Sequence, residues 1–166
     1  MDLKPLFDAG PIVQIHILAA FLAIGFGASI LWRRKGTRVH KTHGKVWIFL
    51  MVVVALSSFF INEIQTFGPF SAIHILSVVT LYSLVQAVIS IKKGDIRRHQ
   101  LIMQGLFYGG LIGAGIFTFI PGRILYRTFF GNPDFYLISI SNVWIIPFAF
   151  ASAVGAILYW RTQRTR

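Results

Sequence analysis

Five histidines, His16, His40, His43, His74 and His99, are the residues whose type and spacing point to chemistry. Neutral imidazole ligates iron and carries protons near neutral pH. The tetrapeptide Ile15-His16-Ile17-Leu18 recurs unchanged as Ile73-His74-Ile75-Leu76, an offset of 58 residues, and the same offset carries Lys35-Gly36 onto Lys93-Gly94. Next come Thr37-Arg38-Val39-His40 and Asp95-Ile96-Arg97-Arg98-His99, alike except for one extra residue. The spacing therefore predicts two pairs, His16 with His74 and His99 with either His40 or His43. A six-coordinate haem b held by one His from each of two helices needs such pairs in an apolar bundle, so one or two haems are expected. Arg33, Arg34, Lys41, Arg97 and Arg98 are candidate partners for haem propionates at one end, and Arg123 and Arg127 at the other.

Other chemistry has less support. The chain has no cysteine, which excludes disulfides, thiolate-ligated zinc, iron–sulfur clusters and a cysteine nucleophile. His40-x-x-His43 lacks a nearby carboxylate or thiolate to complete a divalent-metal site. Asp2, Asp8, Glu63, Asp95 and Asp134 all fall in terminal segments or connections, and no Ser–His–Asp arrangement is recognisable.

The elements that must position the histidines are membrane spans. Of the 166 residues 55% are hydrophobic and 13% charged, which excludes an ordinary water-soluble globule. A bilayer core of about 30 Å takes about 20 helical residues, and almost charge-free stretches of that length recur. Five are predicted, at Pro11–Trp32, Arg38–Asn62, Ser71–Ile91, Ile96–Ile120 and Leu137–Trp160. The connections are too short for a soluble domain, so the whole chain, residues 1–166, reads as a single membrane domain. Trp32, Trp47, Trp144, Tyr159 and Trp160 are expected near span ends as an aromatic belt.

Charge sets the expected orientation. If five spans alternate, thirteen of the sixteen basic residues fall on one side, in the first and third connections and the C-terminal tail. The positive-inside rule makes that side the cytoplasm and places the N-terminus outside, as expected for a bacterial inner membrane. The formal charge of +11 is thereby read as topology, and no nucleic-acid partner is expected. MDLKPLFDAGP has no basic n-region and no small-residue cleavage site, so the first span is expected to be retained.

The repeat implies a duplicated helix hairpin, residues 11–62 and 71–120. Its four antiparallel helices form a bundle, and the span at 137–160, which Pro147 would kink, is an extra C-terminal helix. Gly36 and Gly94 suit the left-handed conformation that closes a helix, and Thr37 and Asp95 suit the cap of the next. Gly105, Gly109 and Gly113 recur every fourth residue, a pattern that lets helix backbones approach closely.

Two families share these features. His40-Lys41-Thr42-His43-Gly44-Lys45, Ser71-Ala72-Ile73-His74-Ile75-Leu76-Ser77, Gly94-Asp95-Ile96-Arg97-Arg98-His99 and Pro121-Gly122-Arg123 resemble the bacterial membrane family called domain of unknown function 2306, a name that carries no activity. Paired histidines on a repeated four-helix core, with His40 followed four residues on by Gly44, more distantly resemble cytochrome b-561-type di-haem membrane proteins over about the first 120 residues. The second resemblance implies transmembrane electron transfer between two b haems, with His16 and His74 matching one ligand pair and His99 with His40 or His43 the other. The chain departs from it in having five expected spans rather than six, and no substrate motif for ascorbate or ferric chelates is present. The reading is a multi-pass membrane protein that binds b haem and transfers electrons with a membrane redox partner or quinone, possible as a homodimer. Its rivals are a haem-free accessory or assembly protein, docking through the Gly105–Gly113 stripe, and a small proton-coupled carrier lined by His16, His74, Gln14, Gln86 and Gln104.

Overall fold

The computed structural model describes residues 3–61, 72–119 and 123–130, all outside β-structure. Four of its helices are long and apolar enough to cross a membrane, at Pro11–Trp32, Arg38–Ser58, His74–Lys92 and Ile96–Phe117. We number the helices α1 (Lys4–Phe7), α2 (Pro11–Trp32), α3 (Arg38–Ser58), α4 (Ala72–Lys92), α5 (Ile96–Gly105), α6 (Ala114–Phe117) and α7 (Ile124–Phe130), with a π-helical segment, Leu106–Gly113, between α5 and α6. The expected fifth span at 137–160, with Pro147 in it, lies outside the described residues, as does Glu63.

Residues Pro11–Met103 form one compact unit, in which α3 packs against both α2 and α4. Small residues allow this. Ala19, Ala23 and Gly27 are the buried positions of α2, and Ala55 and Ala87 are buried on α3 and α4. The surfaces facing away are apolar and exposed, including Leu18, Phe21, Phe49, Val78 and Val85. That is the inverse of a soluble bundle and what lipid contact requires. Residues 1–10 and 104–166 group in a second unit, where α1 packs on α7. Both short helices lie outside the expected spans, α1 before the first and α7 after the fourth, because elements of four and seven residues carry too little periodicity to read.

The first and third connections each turn on a glycine in the left-handed region, Gly36 at φ +81° and Gly94 at φ +78°. They satisfy the preceding helix end differently. After α4 the backbone does it, with Gly94 N–H donating to Ile91 O (3.2 Å) and Asp95 N–H to Ser90 O (2.9 Å), a Schellman closure. After α2 a side chain does it: the Lys35 ammonium donates to Ile30 O (2.9 Å), Leu31 O (2.6 Å) and Arg33 O (3.2 Å). The following helices are capped alike, Thr37 Oγ1 accepting from His40 N–H (3.2 Å) and Asp95 Oδ1 from Arg98 N–H (2.9 Å).

α3 ends at Ser58, four residues before the expected Asn62. Ser57 and Ser58 donate back to Val53 O and Ala55 O, both at 2.7 Å. The chain then tightens, with Phe59, Phe60 and Ile61 N–H bonding three residues back. Trp47 corrects a second expectation. It lies nine residues into α3, is only 2% exposed, and so belongs to the interior rather than to an interfacial belt. Trp32, 88% exposed at the end of α2, does match the belt position. The end of α2–α4 that carries the two glycine turns is called the basic end below.

Candidate functional site

The histidines divide between the two ends of Pro11–Met103. At the basic end, α5 presents His99, half-buried, whose Nδ1 is 2.9 Å from the Ala87 carbonyl of α4. A carbonyl only accepts, so this ring nitrogen carries the proton and Nε2 is left with its lone pair. Metal-bound imidazoles are oriented in this way, one nitrogen donating to a backbone carbonyl while the other faces the metal.

His40, near the start of α3, is within electrostatic reach of His99 and of Lys35. Its Nδ1 is buried without a hydrogen-bond partner. His43, one turn further on, faces elsewhere. Its Nδ1 is 3.2 Å from Ser29 Oγ on α2, and its ring meets Phe26 edge-on at 5.3 Å between centroids. Ser29 Oγ also accepts from Arg33 Nε at 3.1 Å. Of the two sequence candidates for the partner of His99, His40 is within its electrostatic reach and His43 is turned toward α2.

At the opposite end, His16 of α2 sits with Nδ1 2.8 Å from Ser57 Oγ. The Ser57 hydroxyl also reaches Val53 O (2.7 Å) and Val54 O (3.1 Å), so the His16 ring is tied to the last turn of α3. His74 of α4 is 6% exposed and stacks obliquely on Phe59, 5.7 Å between centroids. The last turn of α3 and the residue after it therefore touch both histidines, Ser57 on one and Phe59 on the other. Ser58 and Ser77 hydroxyls join α3 to α4 beside them. His16 and His74 both meet this end of α3.

The chain's residues fit a haem at the basic end. An imidazole with its proton already committed, a second with a buried unpartnered nitrogen, and several cations for propionates are the donor set such a group needs. Among the described residues no three His, Asp or Glu side chains cluster as a polydentate metal site.

Over residues 13–157 the sequence matches the family described as a predicted membrane protein, DUF2306. The chain belongs to that family. No curated protein and no solved structure matches it. The DUF2306 assignment covers all five histidines and agrees with the long apolar helices that carry them.

Two further sequence expectations for this DUF2306 chain fall in the unit that contains residues 104–166. Arg123 lies over the Phe117 ring, 4.7 Å from its centroid, and Arg127 is exposed at the end of α7. The glycine stripe does not make the close contact its spacing suggested. A Cβ at Gly105 or Gly109 would meet nothing within 4 Å, although Gly113 is buried. Trp47 is buried in the interior of α3. Its buried indole Nε1 has no partner, and only the packing reveals that.

Proposed function

We propose that this DUF2306 protein is a b-type haem protein that carries electrons in the bacterial cytoplasmic membrane, with His40 and His99 as axial ligands to one iron. The observation that carries the reading is the Ala87 O···Nδ1 hydrogen bond of His99, which commits that proton and leaves Nε2 as the candidate ligand atom, with His40 within electrostatic reach. Haem b, when bound, supplies a one-electron redox couple. The chain's own part is to hold both imidazoles neutral and fixed among apolar spans, and to pair carboxylates with the exposed cations of the basic end, Arg34, Arg38, Lys41 and Arg98 among them.

His16 and His74 are the ligand candidates for a second haem at the opposite end, with Ser57 in contact with the His16 ring. The charge distribution supports a cytoplasmic basic end and an outside N-terminus. A membrane redox protein or a quinone is the partner that this location allows.

Haem stoichiometry by pyridine haemochrome in purified variants tests the assignment. His40→Ala and His99→Ala should each lose one haem equivalent, and His43→Ala should keep it. Full haem content in both of the first two would sink this ligand pair. A haem-free proton-coupled carrier is the second reading, favoured by the His16–Ser57 and Ser58–Ser77 contacts that gather polar groups inside apolar spans. Proton-driven uptake by colourless protein in vesicles would select it.

A further inference from the structure

The haem reading gives no part to His43, yet its ring is held. Nδ1 of His43 lies 3.2 Å from Ser29 Oγ, and the same oxygen accepts from Arg33 Nε at 3.1 Å. One hydroxyl thus ties an imidazole of α3 to a guanidinium of α2. Topology asks only that cations lie on one side of the membrane, and a charge that serves topology alone needs no such fixing. A guanidinium held through Nε keeps four N–H donors on its two terminal nitrogens, in the planar fork that fits phosphate oxygens. Arg33 is exposed and His43 half-buried, and Nε2 of His43, where it carries the ring proton, adds a further donor.

The groups around these three are apolar and face outward. Val39 and Val46, one turn either side of His43 on α3, are exposed, as are Leu22, two turns before Ser29 on α2, and Trp32, next to Arg33. Spacings of three, four and seven put Val39 and Val46 on the side of α3 that carries His43, and Leu22 and Trp32 on the side of α2 that carries Ser29. Phe26, one turn before Ser29, meets the His43 ring edge-on. Trp32 stands at the level where tryptophans meet lipid head groups. A cation and its hydrogen-bonding neighbours at head-group level, continued by an apolar face along the same two helices, have the layout of a phospholipid.

Charge selects among head groups. From Pro11 to Asn62 the chain carries six basic residues, Arg33, Arg34, Lys35, Arg38, Lys41 and Lys45, and no Asp or Glu. The ammonium of a zwitterionic lipid would meet cations there and no carboxylate, whereas a phosphodiester with an uncharged head group brings only the negative charge that Arg33 attracts. We infer that Arg33, Ser29 and His43 bind the phosphate of an anionic phospholipid at the basic end, its acyl chains lying on the apolar face of α2 and α3. Inorganic phosphate shares the recognition chemistry but has nothing to place on that face. The inference does not rest on the haem reading.

The test is native mass spectrometry of the full chain in mild detergent, titrated with dioleoylphosphatidylglycerol and, separately, with dioleoylphosphatidylethanolamine. Wild-type protein should retain one phosphatidylglycerol severalfold more tightly than phosphatidylethanolamine. Arg33→Gln should weaken phosphatidylglycerol binding about tenfold, the worth of one charge-assisted hydrogen bond. Ser29→Ala changes no charge and removes only the oxygen that joins the other two, so it should weaken binding severalfold, and His43→Ala should do the same. Lys45→Gln removes the same charge as Arg33→Gln, but about 160° around α3 from His43, and should change binding by about twofold or less. Equal losses in Arg33→Gln and Lys45→Gln, binding by Ser29→Ala as tight as by wild type, or equal affinity for the two lipids overturns the inference. Displacement of the lipid by millimolar inorganic phosphate overturns it as well, and assigns the three residues to the free ion.

Discussion

His99 and His16 are held by the same device with different parts. His99 gives its Nδ1 proton to a backbone carbonyl, Ala87 O, and His16 Nδ1 hydrogen-bonds with Ser57 Oγ, whose hydroxyl also reaches Val53 O. Each ring is thereby held against a neighbouring helix, His99 on α4 and His16 on α3. Orienting partners of this kind are commonly worth about tenfold to a hundredfold in metal affinity. Ser57→Ala should therefore weaken haem at the His16 end by that factor and leave the haem held by His99 untouched, read as two separable steps in a haem titration. Equal loss at both ends, or at neither, contradicts the role given to Ser57. A repeated tetrapeptide marks His16 and His74 in the sequence, and a repeated turn marks His40 and His99. The choice between His40 and His43 was not legible there. Three residues separate them, about 60° around a helix, and only packing against α2 shows that Ser29 and Phe26 take His43. Trp47 was misread for a related reason, since an aromatic near a run of cations has the composition of an interfacial belt whether it points outward or in.

The glycine turns are where sequence and element agree most closely. Gly36 and Gly94 both adopt the left-handed region that closes a helix, and the caps Thr37 and Asp95 follow as their side chains suggest. Gly36→Ala and Gly94→Ala should each destabilise the protein by about 1–2 kcal/mol, the cost of a Cβ at positive φ, measurable by thermal unfolding in detergent. Neither substitution meets a neighbouring atom, so a much larger loss would mean that something other than backbone strain is at work. Lys35→Met should cost stability as well, because the ammonium closes the end of α2, whereas Lys93→Met should cost little, because the backbone closes the end of α4. No spacing in the sequence reveals that asymmetry; the Lys-Gly dipeptide is the same in both turns. Span starts were also legible, from caps and from the first apolar residue. The ends of α3 and of the Ile96–Phe117 span were not, since serine and threonine hydroxyls turn back onto carbonyls within otherwise apolar runs. The π-helical turn at Leu106–Gly113 escaped for want of any signal, being apolar on all sides.

At the scale of the molecule, apolar exterior, small-residue interior and clustered basic turns make Pro11–Met103 a membrane unit with a polar group of histidines near each end. Its class followed from composition alone, because burying this many apolar residues in a chain of 166 is impossible without lipid. The charge bias gives the orientation an independent test. The chain lacks cysteine, so single-cysteine variants can be labelled without background. In intact cells an impermeant maleimide should label Asp8→Cys and spare Gln100→Cys, which becomes reactive only in inverted vesicles; the reverse pattern would turn the protein over and move the His40–His99 pair to the outer leaflet. The central claim is the haem, and the most direct measurement is the dithionite-reduced minus oxidised absorption spectrum of protein purified in mild detergent from haem-replete cells, with haem counted per chain. The account predicts a Soret band, sharp bands in the reduced form and at least one haem per chain. A folded, colourless protein would contradict it.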